Sequence, residues 1–189
     1  VVIAKVVAPV TVTTKAGNKA VADVVVGLQA QDAPEITLTE TQAGSLQEGY
    51  YVLEAANNRY SDIEFVESKL DIDVDGDIEV DDIYVSEDDP SQLIVHIDGD
   101  SSEASTITVK GLQVTLDRSV PYGTVDYKLV AVIEDIDADK DNYGQIDPDM
   151  DPEDGIDNEN KGTIVAKIPF LNVVTEVQTA RQQKTVFTL

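Results

Sequence analysis

The chain has 189 residues, 42% of them hydrophobic, and its 37 acidic side chains against 13 basic ones give a formal charge of −24 at pH 7. This length and apolar content suffice for a buried core, while the charge argues against nucleic acid and anionic lipid as partners. Cysteine is absent, which excludes disulfides and thiolate metal sites, and no apolar run is long enough for membrane insertion.

Short runs rich in valine, isoleucine, threonine and tyrosine alternate with turn residues, and no stretch has the period of an amphipathic helix. The pattern predicts an all-β fold: an antiparallel β-sandwich, jelly-roll or immunoglobulin-like, forming a single domain over 1–189. The first run, Val1–Thr14, places Val2, Ala4, Val6, Ala8, Val10 and Val12 on one face. Pro9 lacks an amide donor and suits an edge or inserted strand. This segment reads equally as an edge strand of its own sandwich or as a donor strand that completes a neighbour's sheet. Further strands are predicted at Ala20–Leu28, Glu35–Leu38, Tyr50–Glu54 and Asp62–Val66.

Asp71, Asp73, Asp75, Gly76, Ile78 and Asp82 fit the calcium-loop pattern of an EF-hand at its first, third, fifth and twelfth positions. The same residues alternate with Ile72, Val74, Ile78 and Val80, and helices are expected on neither side. The favoured reading is therefore a hairpin turning at Asp75-Gly76 between Leu70–Asp75 and Asp77–Val85. A calcium site on Asp71, Asp73, Asp75 and Asp82 is the weaker alternative. Strands at Gln92–Ile97, Ser105–Val109, Gln113–Leu116 and Thr124–Glu134 follow, and the last places Val125, Tyr127, Leu129, Ala131 and Ile133 on one face. His96 is the only histidine; one imidazole does not build a zinc or copper centre, so its expected role is structural.

The segment 134–161 then interrupts the strand pattern. Between Glu134 and Glu159 it holds twelve acidic residues and one base, Lys140. Asp135, Asp137, Asp139 and Asp141 alternate, and Asp147, Asp149, Asp151, Asp154 and Asp157 follow, with Gly144 and Gly155 among them. Carboxylates this dense repel one another unless a cation neutralises them, and alternating oxygens beside glycine turns suit calcium, which takes six to eight oxygen ligands. These nine aspartates are the predicted metal ligands and Ca2+ the predicted cofactor. A long acidic excursion inside a compact domain is expected to be functional.

Beyond it, Thr163–Phe170 places Ile164, Ala166, Ile168 and Phe170 on one face, and Val173–Gln178 and Lys184–Leu189 are predicted as separate strands. Both ends of the chain are basic. Residues 1–22 carry Lys5, Lys15 and Lys19 without an acid, and the tail after Glu176 carries Arg181 and Lys184 without an acid. Copies of such a chain attract end to middle.

Three resemblances follow from these residues. The segments "ADVVVGLQAQDAPEITLTETQAGSLQEG" (Ala22–Gly49) and "STITVKGLQVTLDRSVPYGTVDYKLV" (Ser105–Val130), with the turn at Arg118, Val120, Pro121 and Gly123, resemble a β-sandwich module of secreted Gram-positive surface proteins. That module often stands beside a copper amine oxidase-like stalk domain, but this chain, with His96 as its only histidine, lacks the ligands of a copper site. The acidic stretch looks like the calcium loops of thrombospondin type 3 repeats. In architecture, a freestanding module with extended terminal strands and calcium loops is similar to subunits of extracellular tubules and pili such as cannulae. That similarity implies strand exchange with calcium at the contacts.

These readings lead to one expectation: no enzyme, but a secreted or cell-surface structural protein that polymerises with itself. The start at Val1, without a leader, suits a mature form after signal removal as well as an arbitrary cut. The alternative is a calcium-dependent adhesin or carbohydrate-binding module for surface or matrix glycans, for which the pair Tyr50-Tyr51 offers stacking rings.

Overall fold

Alternation of apolar and polar residues turns one side of each run toward a shared interior, and in the computed structural model thirteen strands result among the described residues. The structure describes residues 8–87, 89–133 and 162–175. In chain order the strands are β1 (Val10–Lys15), β2 (Ala22–Val25), β3 (Gln31–Asp32), β4 (Glu35–Glu40), β5 (Gly49–Ala55), β6 (Ile63–Val66), β7 (Asp71–Asp75), β8 (Glu79–Val85), β9 (Leu93–Gly99), β10 (Thr106–Lys110), β11 (Gln113–Leu116), β12 (Gly123–Ile133) and β13 (Thr163–Val174). Two 3-10 turns, Asn58–Tyr60 and Glu67–Lys69, are the only helical pieces among the described residues.

The architecture is all-β, with sheets facing each other across one core. One layer is a six-stranded sheet in the order β2-β13-β12-β5-β9-β8. The facing layer is a four-stranded sheet, β1-β4-β10-β7, and a three-stranded sheet, β3-β11-β6. These last two are one layer with a crease, because β3, β11 and β6 continue β4, β10 and β7 along the chain. The crease falls at Gly111, whose φ is +67°. A Cβ there would lie 1.8 Å from the carbonyl oxygen of Lys69, so only glycine lets the two backbones cross.

Tyr127 and Phe170, from the six-stranded sheet, meet at 4.6 Å between centroids, and Phe65 of β6 approaches Tyr127 edge-on at 5.8 Å. This aromatic cluster ties the two layers together. The predicted inward face of β12 is observed: Val125, Tyr127, Leu129 and Ala131 all belong to the core.

Two expectations change. Thr163–Phe170 and Val173–Gln178 are not separate strands at their junction, since β13 runs unbroken to Val174. Register shifts against β12 re-aim its side chains, so that Phe170 and Leu171 are both buried while Ile164 is 50% exposed. The second correction concerns Asp75-Gly76, which is not a hairpin turn. β7 pairs with β10 and β8 pairs with β9, so the chain steps from one layer to the other at this point. Gly76 has φ +113°, and a Cβ on it would lie 2.8 Å from the Cα of Ser105. Close passage of the 101–105 loop, not a tight turn, is what requires glycine there.

Candidate functional site

Asp135, Asp137, Asp139, Asp141, Asp147, Asp149, Asp151, Asp154 and Asp157 lie outside the described residues, as do residues 1–7 and 176–189. The strands on either side of the acidic segment are described: β12 and β13 are antiparallel neighbours, with Ala131 opposite Thr163.

The weaker set is placed. Asp71, Asp73 and Asp75 project from the exposed face of β7, while Asp82 stands on β8 in the other layer. An EF-hand loop curls around its ion. Here the ligand segment is an extended strand whose successive same-face carboxylates are about 6.6 Å apart, and its twelfth position sits on another sheet. Among the described residues no group of three or more acidic or histidine side chains has the arrangement of a metal site. Asp73 instead accepts from Lys110 Nζ at 2.7 Å.

Asp77, in the step between layers, has a structural task. The Ser102 hydroxyl and the Ser102 and Glu103 backbone N–H groups all donate to its carboxylate. These bonds, the Ser102 hydroxyl first, hold its pKa below the ordinary value. Glu40, buried at the end of β4, fastens the other side of the same loops. It accepts from Leu46 N–H at 2.8 Å, Ser101 Oγ at 2.6 Å and Ser105 N–H at 2.9 Å. Burial pushes its carboxyl up, but these bonds outweigh burial and leave the pKa lowered. His96 also has a structural setting: it stacks on Tyr50 at 4.3 Å and meets Asp81 Oδ2 at 3.2 Å.

The feature that strand-by-strand reading missed is the contrast between the sandwich's two flanks. On one flank β1 and β2 are the edges of the two facing sheets: Val10, Ala22 and Val24 there are buried, while Val12, Ala16 and Val26 are partly buried. Asp23 locks this side, accepting from Lys19 at 2.7 Å and Asn172 at 2.9 Å. On the other flank the edges are β7 and β8. Their inward residues Ile72, Val80, Ile83 and Val85 pack on the core yet remain partly exposed, and Val74 is 36% exposed. The result is an apolar seam between two sheet edges, rimmed by exposed Asp71, Asp73, Asp75, Glu79, Asp81 and Asp82.

The outer face of the four-stranded sheet carries an ordered polar array. Thr11-Val12-Thr13, Thr37-Leu38-Thr39 and Thr106-Ile107-Thr108 sit side by side in register, with hydroxyl contacts of 3.4 Å between Thr37 and Thr108 and between Thr39 and Thr106. The repeated T-x-T is visible in the sequence and would have placed these three strands together. A separate open groove of about 530 Å3 lies where β6 begins and β11 ends, lined by Gln29, Asp62, Glu64, Thr115, Asp117 and Arg118 among others.

Comparison with known proteins brings no family model that matches this chain and no match among curated proteins.

Proposed function

We propose that this chain is a structural subunit of an extracellular filament, tube or surface layer, held together by calcium and by strand exchange between copies. In this reading Ca2+ binds the 134–161 segment through Asp135, Asp137, Asp139, Asp141, Asp147, Asp149, Asp151, Asp154 and Asp157. It neutralises much of the charge that keeps copies apart. A strand from one copy then adds to a sheet edge of the next. The same face never meets itself, so the contact is head-to-tail and propagates. The module takes the place of the surface-protein domain that its sequence resembles, outside the cell, where calcium is abundant.

The observation that supports the reading is the β7/β8 flank, where Val74 is 36% exposed and Ile72, Val80, Ile83 and Val85 are partly exposed within a rim of carboxylates. Light scattering and electron micrographs of the purified protein, in millimolar Ca2+ and then in chelator, test it. Long assemblies in calcium that dissolve in chelator are expected, and a protein that stays monomeric in both conditions overturns the proposal.

A second reading, a calcium-dependent adhesin or carbohydrate-binding module, is favoured by the groove beside Arg118, whose amide, hydroxyl, carboxylate and guanidinium groups suit the hydroxyls of a glycan. A glycan array with and without chelator separates the two readings.

A further inference from the structure

We infer that the outer face of the four-stranded sheet is a contact surface for the same face of a second copy, related by a two-fold axis that runs along the strands between β4 and β10. This contact is separate from strand exchange and from calcium binding, and holds or fails independently of both.

Register and alternation set the pattern of the face. β1, β4, β10 and β7 turn Val12, Leu38, Ile107 and Ile72 toward the core, so the residues on either side of these point outward. The outward residues form three rows across the sheet. Thr11, Thr39, Thr106 and Asp75 make the first, and Thr13, Thr37, Thr108 and Asp73 the second. Lys15 opposite Glu35, and Lys110 opposite Asp71, make the third, in which charge alternates from one edge to the other. The bond that Lys110 donates to Asp73 outweighs desolvation and, with the Asp71 and Glu35 carboxylates nearby, raises the Lys110 pKa. Every residue of the three rows is partly or fully exposed.

Charge complementarity selects both the occupant and the symmetry. β7, at one edge, presents the carboxylates Asp71, Asp73 and Asp75, and β1, at the other edge, presents Lys15 with Thr11 and Thr13. A half-turn about an axis along the strands lays β7 of one copy over β1 of the other. Lys15 then meets Asp71, Glu35 meets Lys110, Thr13 meets Asp73 and Thr11 meets Asp75, each pair twice. At the centre Thr37 meets Thr108 and Thr39 meets Thr106. No like charges face each other. A half-turn about an axis across the strands lays β7 over β7 instead, setting Asp73 against Asp73 and Asp71 against Asp75, which repel. The favoured contact is isologous and closes as a pair.

The threonines suit such a contact. Within one sheet their hydroxyls meet only at 3.4 Å, Thr37 with Thr108 and Thr39 with Thr106, so each keeps donor and acceptor capacity for a partner across the interface. The formal charge of −24 repels copies at a distance. At about 0.15 M salt, however, the screening length is about 8 Å, so remote charge fades while touching pairs persist. Four strands by about five residues cover about 19 Å by 17 Å, less than the patch of a stable dimer. One pair therefore binds weakly, and copies already held head-to-tail are joined side by side through many such pairs.

Charge exchange between full-length variants tests this, in chelator and at about 0.15 M salt, so that calcium takes no part. Lys15→Glu and Asp71→Lys each set like charges against one another at both ends of the third row. Each is expected to weaken self-association about tenfold or more in sedimentation equilibrium. Mixed one to one, the two variants face opposite charges again, and association should return to that of the parent; a loss caused by misfolding is not rescued in this way. A second measurement uses the absence of cysteine. Lys15→Cys and Asp71→Cys oxidised as a mixture should give a disulfide-linked pair. Neither should do so alone, because the two copies of either position lie at opposite edges, about 14 Å apart across the strands. The contact is overturned if the parent stays monomeric up to about millimolar concentration, if the single variants associate as the parent does, or if mixing restores nothing. The assembly reading is decided apart from this, by light scattering in Ca2+.

Discussion

The two flanks of this sandwich are built from the same material, short strands rich in valine and threonine or aspartate, and yet they differ in how deeply their edge strands reach into the core. On the β1/β2 side, β1 and β2 bury Val10, Ala22 and Val24, with Val12 and Val26 partly exposed, and the Lys19–Asp23–Asn172 hydrogen bonds tie the edge. On the β7/β8 side the chain steps between layers in three residues, Gly76 to Ile78, and the inward valines and isoleucines stay partly wet. The difference is one of geometry rather than composition: a short link draws both edges to the same flank, and among the described residues no strand lies between them. Burial contributes roughly 25 cal/mol for each Å2 of apolar surface taken from water, so covering the partly exposed residues of the β7/β8 flank would add stability.

The sharpest way to break the comparison is to put a charge on each side. Val24→Asp buries an unpaired carboxylate at a fully enclosed position and is expected to cost about 4 kcal/mol or more, enough to unfold many domains of this size. Val80→Asp, at the seam, leaves the carboxylate in reach of water and should cost about 1 kcal/mol or less. Urea unfolding of the isolated subunit measures both. Similar losses at the two sites would mean that the seam is part of the closed core.

The glycines give the next largest effect and test the crease and the step between layers. Gly111→Ala forces a Cβ to within 1.8 Å of the Lys69 carbonyl and should cost about 3 kcal/mol, from clash and from a left-handed backbone together. Gly17→Ala also has positive φ, +61°, but meets nothing within 4 Å, so only the backbone term of about 1 kcal/mol applies. Thermal unfolding of the two variants separates packing from conformation.

Glu40 links the loops beside the open flank and sets a pH dependence. Its pKa is lowered in the folded state, so its contribution is present above the ordinary carboxylate pKa and is lost as pH falls through the lower folded value. Glu40→Gln places an amide where Leu46 and Ser105 donate N–H groups, and is expected to cost about 2 kcal/mol at pH 7. Below pH 4 the difference between parent and variant should shrink. A difference that is constant from pH 7 to pH 3 would show that the carboxylate's charge is irrelevant to the loop junction.

Much of this was legible from residues close in sequence. The inward row of β12, Val125, Tyr127, Leu129 and Ala131, is a period-two pattern and folds as such. What was illegible depends on residues distant in sequence. Asp75-Gly76 carries a strong local hairpin signal, but the decisive neighbour of Gly76 is Ser105, twenty-nine residues on. The seam was hidden because β8 breaks its own alternation: Val80 and Ile83 share the inward face only through the bulge at Val80/Asp82. The outward carboxylates on β7 also fit a calcium-loop spacing, the weaker of the two readings, since spacing along a chain does not reveal whether the chain curls or stays extended. Their strand is an edge, where charged side chains guard against unwanted pairing.

The smallest expected effect lies midway between the flanks, where Tyr127 sits in the aromatic cluster. Its hydroxyl is buried with no hydrogen-bond partner, and burial pushes its pKa well up. A buried hydroxyl without a partner has lost its water and gained nothing in exchange. Tyr127→Phe keeps the ring contacts with Phe65 and Phe170 and removes only that oxygen, so it should leave stability unchanged or raise it by up to about 1 kcal/mol. Because the aromatic cluster joins the layers without touching either edge, the variant should also assemble in calcium as the parent does. A loss of stability above about 1 kcal/mol in urea unfolding would show that the hydroxyl has a bonding partner within the core. A loss of assembly with stability intact would show that the open flank is coupled to the centre of the sandwich, and that the two flanks are not independent.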